Sequence, residues 1–202
     1  YIDAIAVAGK AVYDIPLYVN AWLGEMGWRV AGESYPSGGP TTSALEIWKW
    51  AAPHIDLLAP DIYIEDHQGF KELCDIYGRP DNPLFVPESM PGPSNALNIF
   101  HAIAKGAVGY AVFGIESLLT PAGDPTPERG QMVIDSFRCV AAALPLIERR
   151  QGPIVALVQE EYRNWQYLDL DDLVAVGRFA SAQGGFFWKD FRHFGRPAEL
   201  GR

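Results

Sequence analysis

The hydrophobic pattern of this chain consists of short apolar runs separated by longer amphipathic stretches. Four runs are rich in β-forming residues: IPLYVNAWL at 15–23, IDLLAPDIYIED at 55–66, NPLFVPES at 82–89 and GYAVFGIES at 109–117. They are apolar along their length instead of alternating with polar residues, which is typical of parallel strands buried on both faces. We therefore predict four parallel strands.

The amphipathic stretches around these runs predict five helices, over 1–12, 43–50, 67–78, 95–105 and 128–150. Ser43, with Glu46 three residues later, would start the second helix as a capping box. Gly78 would end the third helix, and Pro145 would break the last one. The connection over 24–42 is long and rich in Gly and Pro, which favours a functional loop.

Strand and helix alternate up to residue 150, which is typical of an α/β fold with a parallel sheet. Four βα units amount to half of a TIM (β/α)8 barrel, which takes about 250 residues when complete. The GxGxxG turn of a doubly wound dinucleotide-binding fold is missing after the first strand. We therefore predict a half-barrel over 1–150. The strand-like run at 153–161 predicts that 151–202 begins an appended β-rich segment or forms a poorly ordered tail.

Composition and charge narrow the classes of partner. The chain has 202 residues, of which 49% are hydrophobic, and a net charge of -9. An acidic surface disfavours binding to nucleic acid and to anionic membranes. The sequence contains no run of about 18 apolar residues, so we predict no membrane span. The four histidines and two cysteines show no metal-ligand spacing, so we expect no metal. The start lacks the basic region of a signal peptide, and we expect the chain to be a piece of a longer polypeptide.

Polar or aromatic side chains stand at the end of every predicted strand, where a TIM barrel carries its active site. They are Asn20 and Trp22 in the first strand, Asp61, Tyr63, Glu65 and Asp66 in the second, Glu88 in the third and Glu116 in the fourth. Phe113 lies in the middle of the fourth predicted strand, and we expect it to fill the barrel interior.

Glu88 follows Pro87, which cannot donate a ladder hydrogen bond and stiffens the chain where the third strand ends. A carboxylate projected from such a rigid element is well placed for chemistry. A solvated surface carboxylate fits the same residues, so both interpretations stay open at this point.

Four segments together resemble the second half of the catalytic barrel of bacterial glycoside hydrolase family 35 β-galactosidases: PLYVNAWL, YPSGGPTTSALEIWKWAAPHIDLLAPDIY, RPDNPLFVPES and GAVGYAVFGIES. The similarity is closest to the subgroup with an extra C-terminal β domain, and it covers 1–160. LAPDIY and PLFVPES are its most specific parts. The resemblance implies that the four strands are strands five to eight of a retaining glycosidase barrel.

The resemblance also implies roles for individual residues. Glu88 would end strand seven as the nucleophile, and Tyr63 would end strand six beside it. The acid/base glutamate of strand four would precede Tyr1 and is not in this chain. From their places at strand ends or on the long loop, further residues are predicted to contact the sugar: Asn20, Trp22, Tyr35 and Glu116. For Trp22 simple packing is the alternative, and for Glu116 capping of the next turn.

The functional prediction is therefore a fragment of a retaining glycoside hydrolase that removes terminal β-galactosyl residues and needs no cofactor. Its partner would be a carbohydrate, without nucleic acid or membrane. The alternative is a non-catalytic, truncated or carbohydrate-binding half-barrel that is inactive alone. A half-barrel would expose strand edges, which favours a homo-oligomer. Relatives of this kind are often exported, so the expectation by resemblance is a periplasmic or secreted location.

Overall fold

The computed structural model describes residues 1–23, 30–118, 128–159, 165–170 and 173–178. The helices are α1 (Ile2–Val12), α2 (Leu45–Ala51), α3 (His67–Tyr77), α4 (Pro93–Ala104) and α5 (Glu128–Arg149), with a 3-10 helix at Ile115–Leu118. The strands are β1 (Tyr18–Trp22), β2 (Leu57–Ile62), β3 (Phe85–Val86), β4 (Glu88–Ser89), β5 (Gly109–Tyr110), β6 (Trp165–Leu170) and β7 (Leu173–Arg178). Part of the predicted loop over 24–42 and most of the predicted tail lie outside the described residues.

The strands of the first 110 residues pair in parallel and in chain order. β1 pairs with β2, β2 pairs with β4, and β3 pairs with β5. Only Pro87 separates β3 from β4, so the two form one extended segment between β2 and β5. Consecutive βα units of a barrel would pair in this way. No closed barrel is present in the described part of the chain, and the half-barrel stays a prediction.

The fourth predicted strand is shorter than the sequence suggests. β5 contains only two residues, although the backbone N–H groups of Ala111 and Phe113 still donate to the carbonyls of Val86 and Ser89, at 2.8 and 2.9 Å. Gly114 then takes a positive φ of 63°, which glycine adopts without strain, and the chain turns into the 3-10 helix. Glu116 therefore lies in this helix and not at the end of a strand.

One buried cluster joins the sheet to the first four helices. Its largest fully buried side chains come from the strands, from α3 and from the connection before β3: Leu58, Ile62, Phe70, Tyr77, Leu84 and Val86. Ala6 of α1, Leu45 of α2 and Ala102 of α4 complete it. Since β2 contributes buried residues along nearly its whole length, the expectation of a strand covered on both faces is met there.

Two predicted helix signals are wrong. α2 begins after Ala44 without a side-chain cap, so Ser43 and Glu46 form no capping box. α5 runs from Glu128 to Arg149 with Pro145 inside it, so the predicted break is absent, and Pro145 lies on an exposed part of the helix. A cap that the sequence analysis did not single out is the Asp66 carboxylate, which accepts from the Gly69 N–H at the start of α3, at 2.6 Å.

Within the described residues, α5 is the one helix that is long and apolar enough to cross a membrane by length and composition, over Gly130–Arg149. Mostly buried core helices pass the same test, whereas 17% of this window is buried, with Val133 in one apolar cluster with Ala96 of α4. The absence of a membrane partner stays a prediction. In the predicted β-rich segment over 151–202, residues 153–159 form no strand, contrary to expectation. Further along this segment, β6 and β7 form an antiparallel pair.

Candidate active site

Three neighbouring parallel strands bring a small polar cluster together around Glu88. The Tyr63 hydroxyl donates to Oε2 of Glu88 at 2.7 Å. The side-chain amide of Asn20 donates through Nδ2 to Oε1 of Glu88 at 3.4 Å and to Oδ2 of Asp61 at 2.9 Å. Each oxygen of the Glu88 carboxylate therefore has its own donor. We call these four residues the Glu88 cluster.

Strand register explains why these side chains meet. In the parallel pairing of β2 with β4, Asp61 lies opposite Glu88, and Asn20 belongs to the strand on the other side of β2. Tyr63 follows β2 directly, two residues after Asp61, so the two side chains point to the same face of the extended chain. Pro87 fixes the backbone just before Glu88. The cluster thus stands on sheet positions and not on free loops.

Burial sets the electrostatics of the cluster. Only 6% of Asp61 is exposed, and desolvation, followed by the nearby Glu88 charge, raises the pKa of Asp61 to about 7. Burial also raises the pKa of Tyr63, and its hydrogen bond to Glu88 adds to that shift. The phenol therefore stays protonated at every physiological pH and remains a donor to the carboxylate.

The arrangement suits a carboxylate that is held in one orientation and within reach of a ligand. Glu88 is partly exposed, receives two hydrogen bonds and sits on a rigid strand end. Such a group can act as a nucleophile or as an acceptor for a ligand hydroxyl. Asp61 is too deeply buried to contact a ligand beside Glu88.

Two exposed aromatic side chains lie near the cluster. Trp22 is 40% exposed and stands opposite Asp61 in the β1–β2 register. Phe113 is 60% exposed, and its ring centroid lies 6.5 Å from that of Tyr63 in an edge-on arrangement. The expectation that Phe113 fills the interior of a complete barrel stays a prediction, because this chain supplies only the predicted half of that barrel. Exposed aromatic faces beside a carboxylate fit the apolar faces of a sugar.

The remaining predicted site residues lie apart from these contacts. Tyr35 is buried in a turn in which the Gly32 N–H donates to the Tyr35 carbonyl at 2.9 Å. Glu116 is exposed on the 3-10 helix, and within the described residues no hydrogen bond joins it to the Glu88 cluster. The structure therefore brings Asn20, Tyr63 and Glu88 together and does not bring Tyr35 or Glu116 into their hydrogen-bond network.

Asp61 is the member of the cluster to which the sequence analysis gave no role. Its signal was a single carboxylate inside the apolar run LLAPDIYI, two residues before Tyr63. A period of two places it on the same face as the tyrosine. A charged residue within a strand that is otherwise fully apolar is costly to bury, which marks it for inspection.

No group of three or more His, Cys, Asp or Glu that could hold a metal ion is found in the part of the chain that the structure describes. A scan against protein-family models finds no match to this chain, and a search of the curated proteins finds none. The residues of the Glu88 cluster and their geometry are therefore what any functional proposal rests on.

Proposed function

We propose that this chain carries the nucleophile half of the active site of a retaining β-galactosidase. The observation that carries the proposal is the Glu88 carboxylate, held by the Tyr63 hydroxyl at 2.7 Å and by the Asn20 amide at the ends of adjacent parallel strands. This matches what the resemblance implies for Glu88 and Tyr63. The polarity and partial exposure of the site support a neutral, hydroxyl-rich ligand.

In the proposed reaction, a Glu88 oxygen attacks C1 of the terminal galactosyl unit as the bond from C1 to the leaving oxygen breaks. The leaving oxygen takes a proton from an acid group, and a glycosyl ester of Glu88 forms. Water, deprotonated by the same group, then attacks C1 and releases galactose with its original anomeric configuration. The acid/base group belongs, in this proposal, to a segment preceding Tyr1. It should stand about 5–5.5 Å from Glu88.

The polypeptide with both halves is one that contains this chain and the proposed upstream half with the acid/base group. Its Tyr63→Phe variant should lose about 100-fold in kcat/KM for an aryl β-galactoside, because a single preorganised donor contributes on that order. The missing hydroxyl would leave Oε2 of Glu88 without its donor and free to rotate. Steady-state kinetics measure the loss.

Tyr18→Phe is the matched control, since Tyr18 lies in the same sheet, is 51% exposed and packs edge-on against Phe85. It should keep activity within about twofold of wild type, as surface substitutions usually do. Equal activity of the Tyr63 and Tyr18 variants would contradict the proposed role of the phenol.

The stereochemical outcome tests the proposed reaction class. Proton NMR of the first galactose released from an aryl β-galactoside should show the β anomer before mutarotation, since two displacements at C1 retain configuration. Initial release of the α anomer would contradict a covalent intermediate on Glu88. Reading the upstream coding sequence for four further βα units, with an Asn-Glu pair ending the fourth strand, tests for the missing acid/base half.

A second candidate function is a non-catalytic half-barrel that pairs with another chain. The observation that favours it is the apolar flank formed by α1 and β1. Val12, Tyr13 and Tyr18 are exposed there, and β1 lies at the edge of its sheet. An open edge with apolar side chains invites pairing. An upstream sequence without βα units, together with a stable dimer in sedimentation, would favour this candidate over the enzyme.

A further inference from the structure

Asp61 is buried in a way that an ionised carboxylate tolerates poorly. Its side chain accepts one hydrogen bond, from Asn20 to Oδ2 at 2.9 Å. Its other oxygen, Oδ1, is buried and has no hydrogen-bond partner in the described part of the chain. A buried charge is tolerated when it is paired and its lone pairs are satisfied, and neither condition holds here. The neutral acid is therefore the favoured form.

The groups that face Asp61 from the neighbouring elements strengthen this preference. β1 contributes the neutral Asn20 amide, β4 contributes the Glu88 carboxylate, and the chain after β2 contributes the neutral Tyr63 phenol. Within the described residues, no Lys, Arg or His is among the groups that act on Asp61. Two neighbouring carboxyls without a cation between them ionise one at a time. The direction of the Asp61 pKa, raised to about 7, agrees with this geometry.

We propose that Asp61 is a positioning residue that carries a proton while Glu88 is ionised, so that the Asn20 amide serves the Glu88 carboxylate. The charge and burial argument stands on the cluster itself, and the consequence for catalysis rests on the proposed function. With Asp61 neutral, Glu88 holds the single negative charge and two donors. When Asp61 ionises, its charge repels that of Glu88 and draws the Asn20 amide toward Oδ2 of Asp61, away from the longer bond to Glu88.

This arrangement makes the ionisation of Asp61 one of two events that set the alkaline limb of activity, the other being loss of the proton from the acid group. Hydrolysis by the polypeptide with both halves should fall as the pH rises through about 7, where Asp61 loses its proton. The Asp61→Asn variant, which is neutral at every pH, should lose the component of the kcat/KM profile that titrates near pH 7, while keeping the acid limb and the fall that belongs to the acid group. A residue with only a packing role would scale the whole profile and leave its shape unchanged.

Carbon-13 NMR of the 202-residue chain tests the pair without any need for activity. With labelled Asp and Glu side-chain carboxyls, one resonance should titrate near pH 7. It should vanish in Asp61→Asn and shift down by about one unit or more in Glu88→Gln, because removal of a neighbouring like charge eases ionisation. Asp66→Asn, a change at the exposed cap of α3, is the control and should leave the resonance in place.

Urea unfolding supplies a second readout. A carboxyl whose folded-state pKa is raised stabilises the fold fully below the unfolded pKa of about 3.9, and this stabilisation is lost as the pH rises through the folded value. Asp61→Asn removes that loss, so the stability of the variant relative to wild type should increase between about pH 4 and pH 7. A relative stability that stays flat over this window would overturn the proposal.

The NMR outcomes separate the proposal from the proposed function. Titration of every carboxyl below pH 5, or persistence of the resonance near pH 7 in Asp61→Asn, would overturn the assignment of the proton to Asp61. A resonance that behaves as expected in a polypeptide with no galactosidase activity would support the pair. That combination would count against the proposed function alone.

Discussion

Replacing Glu88 by Gly in the polypeptide with both halves is expected to lower kcat for galactoside hydrolysis by about 10,000-fold or more, as loss of a catalytic nucleophile does. Under the proposed function, no glycosyl ester can form without this carboxylate. Glu65→Gly is the matched control, because Glu65 is an exposed carboxylate two residues beyond Tyr63. That variant should stay within a few-fold of wild type.

Azide should restore part of the turnover of the Glu88→Gly variant. The small anion fits the space that the carboxylate leaves, attacks C1 from the same side and gives an α-galactosyl azide as the product. Product analysis by NMR and mass spectrometry identifies it. A Glu88→Gly variant that keeps wild-type kcat, or rescue that yields only the β-configured azide, would contradict the nucleophile assignment.

Replacing Asn82 by Ala is expected to lower the free energy of unfolding by roughly 3 kcal/mol, since buried backbone groups lose their partners at about 1–3 kcal/mol each. Asn82 is 1% exposed. Its Oδ1 accepts from the Leu58 N–H at 2.8 Å, and its Nδ2 donates to the carbonyls of Leu58 and Tyr77 at 2.9 and 2.8 Å. It therefore ties the second residue of β2 to the end of α3.

Urea unfolding of the 202-residue chain at neutral pH measures this effect. Asn82→Asp should be at least as damaging as Asn82→Ala, because a carboxylate would face two carbonyl oxygens in a buried place. Gln68→Ala, on the exposed face of α3, is the control and should change the free energy of unfolding by less than about 0.5 kcal/mol. A change of that small size for Asn82→Ala would contradict the structural role assigned to it.

Much of the local fold is readable from the hydrophobic pattern. The centres of α1, α3 and α4 and of the strands β1 and β2 fall where apolar runs and amphipathic stretches predict them. PLFVPES also follows its pattern, with Pro87 dividing it into β3 and β4 because proline has no N–H for the ladder. These features depend on residues close in sequence, which is why they can be predicted from local sequence patterns.

Other features depend on contacts between distant parts of the chain. The 109–117 run has strand-forming residues, yet it leaves the sheet after Gly114. Phe113 consequently stays exposed beside Tyr63. Ser43 has the right neighbours for a capping box, but α2 starts after it. Local preferences of this size are easily overridden by tertiary packing.

The candidate site was predicted in part. The resemblance selected Glu88 and Tyr63 as partners, and their hydroxyl-to-carboxylate bond is present at 2.7 Å. Asn20 was expected to meet a sugar, which stays a prediction, and its amide bridges Glu88 and Asp61. Asp61 was counted among the polar residues at the end of the second strand but was given no role, because only strand register reveals that it lies opposite Glu88. Strand register depends on pairing between segments that are distant in sequence, so local sequence patterns do not predict it.

The most direct test of the central claim is covalent labelling of Glu88. Dinitrophenyl 2-deoxy-2-fluoro-β-galactoside carries a leaving group that departs without protonation, so labelling needs the nucleophile and not the acid. Incubation of the full-length polypeptide, and of the 202-residue chain beside it, should add one fluorogalactosyl group. Peptide mapping by mass spectrometry should place that group on Glu88 within PLFVPES. A label on any other carboxylate, or no label on the full-length polypeptide, would contradict the account.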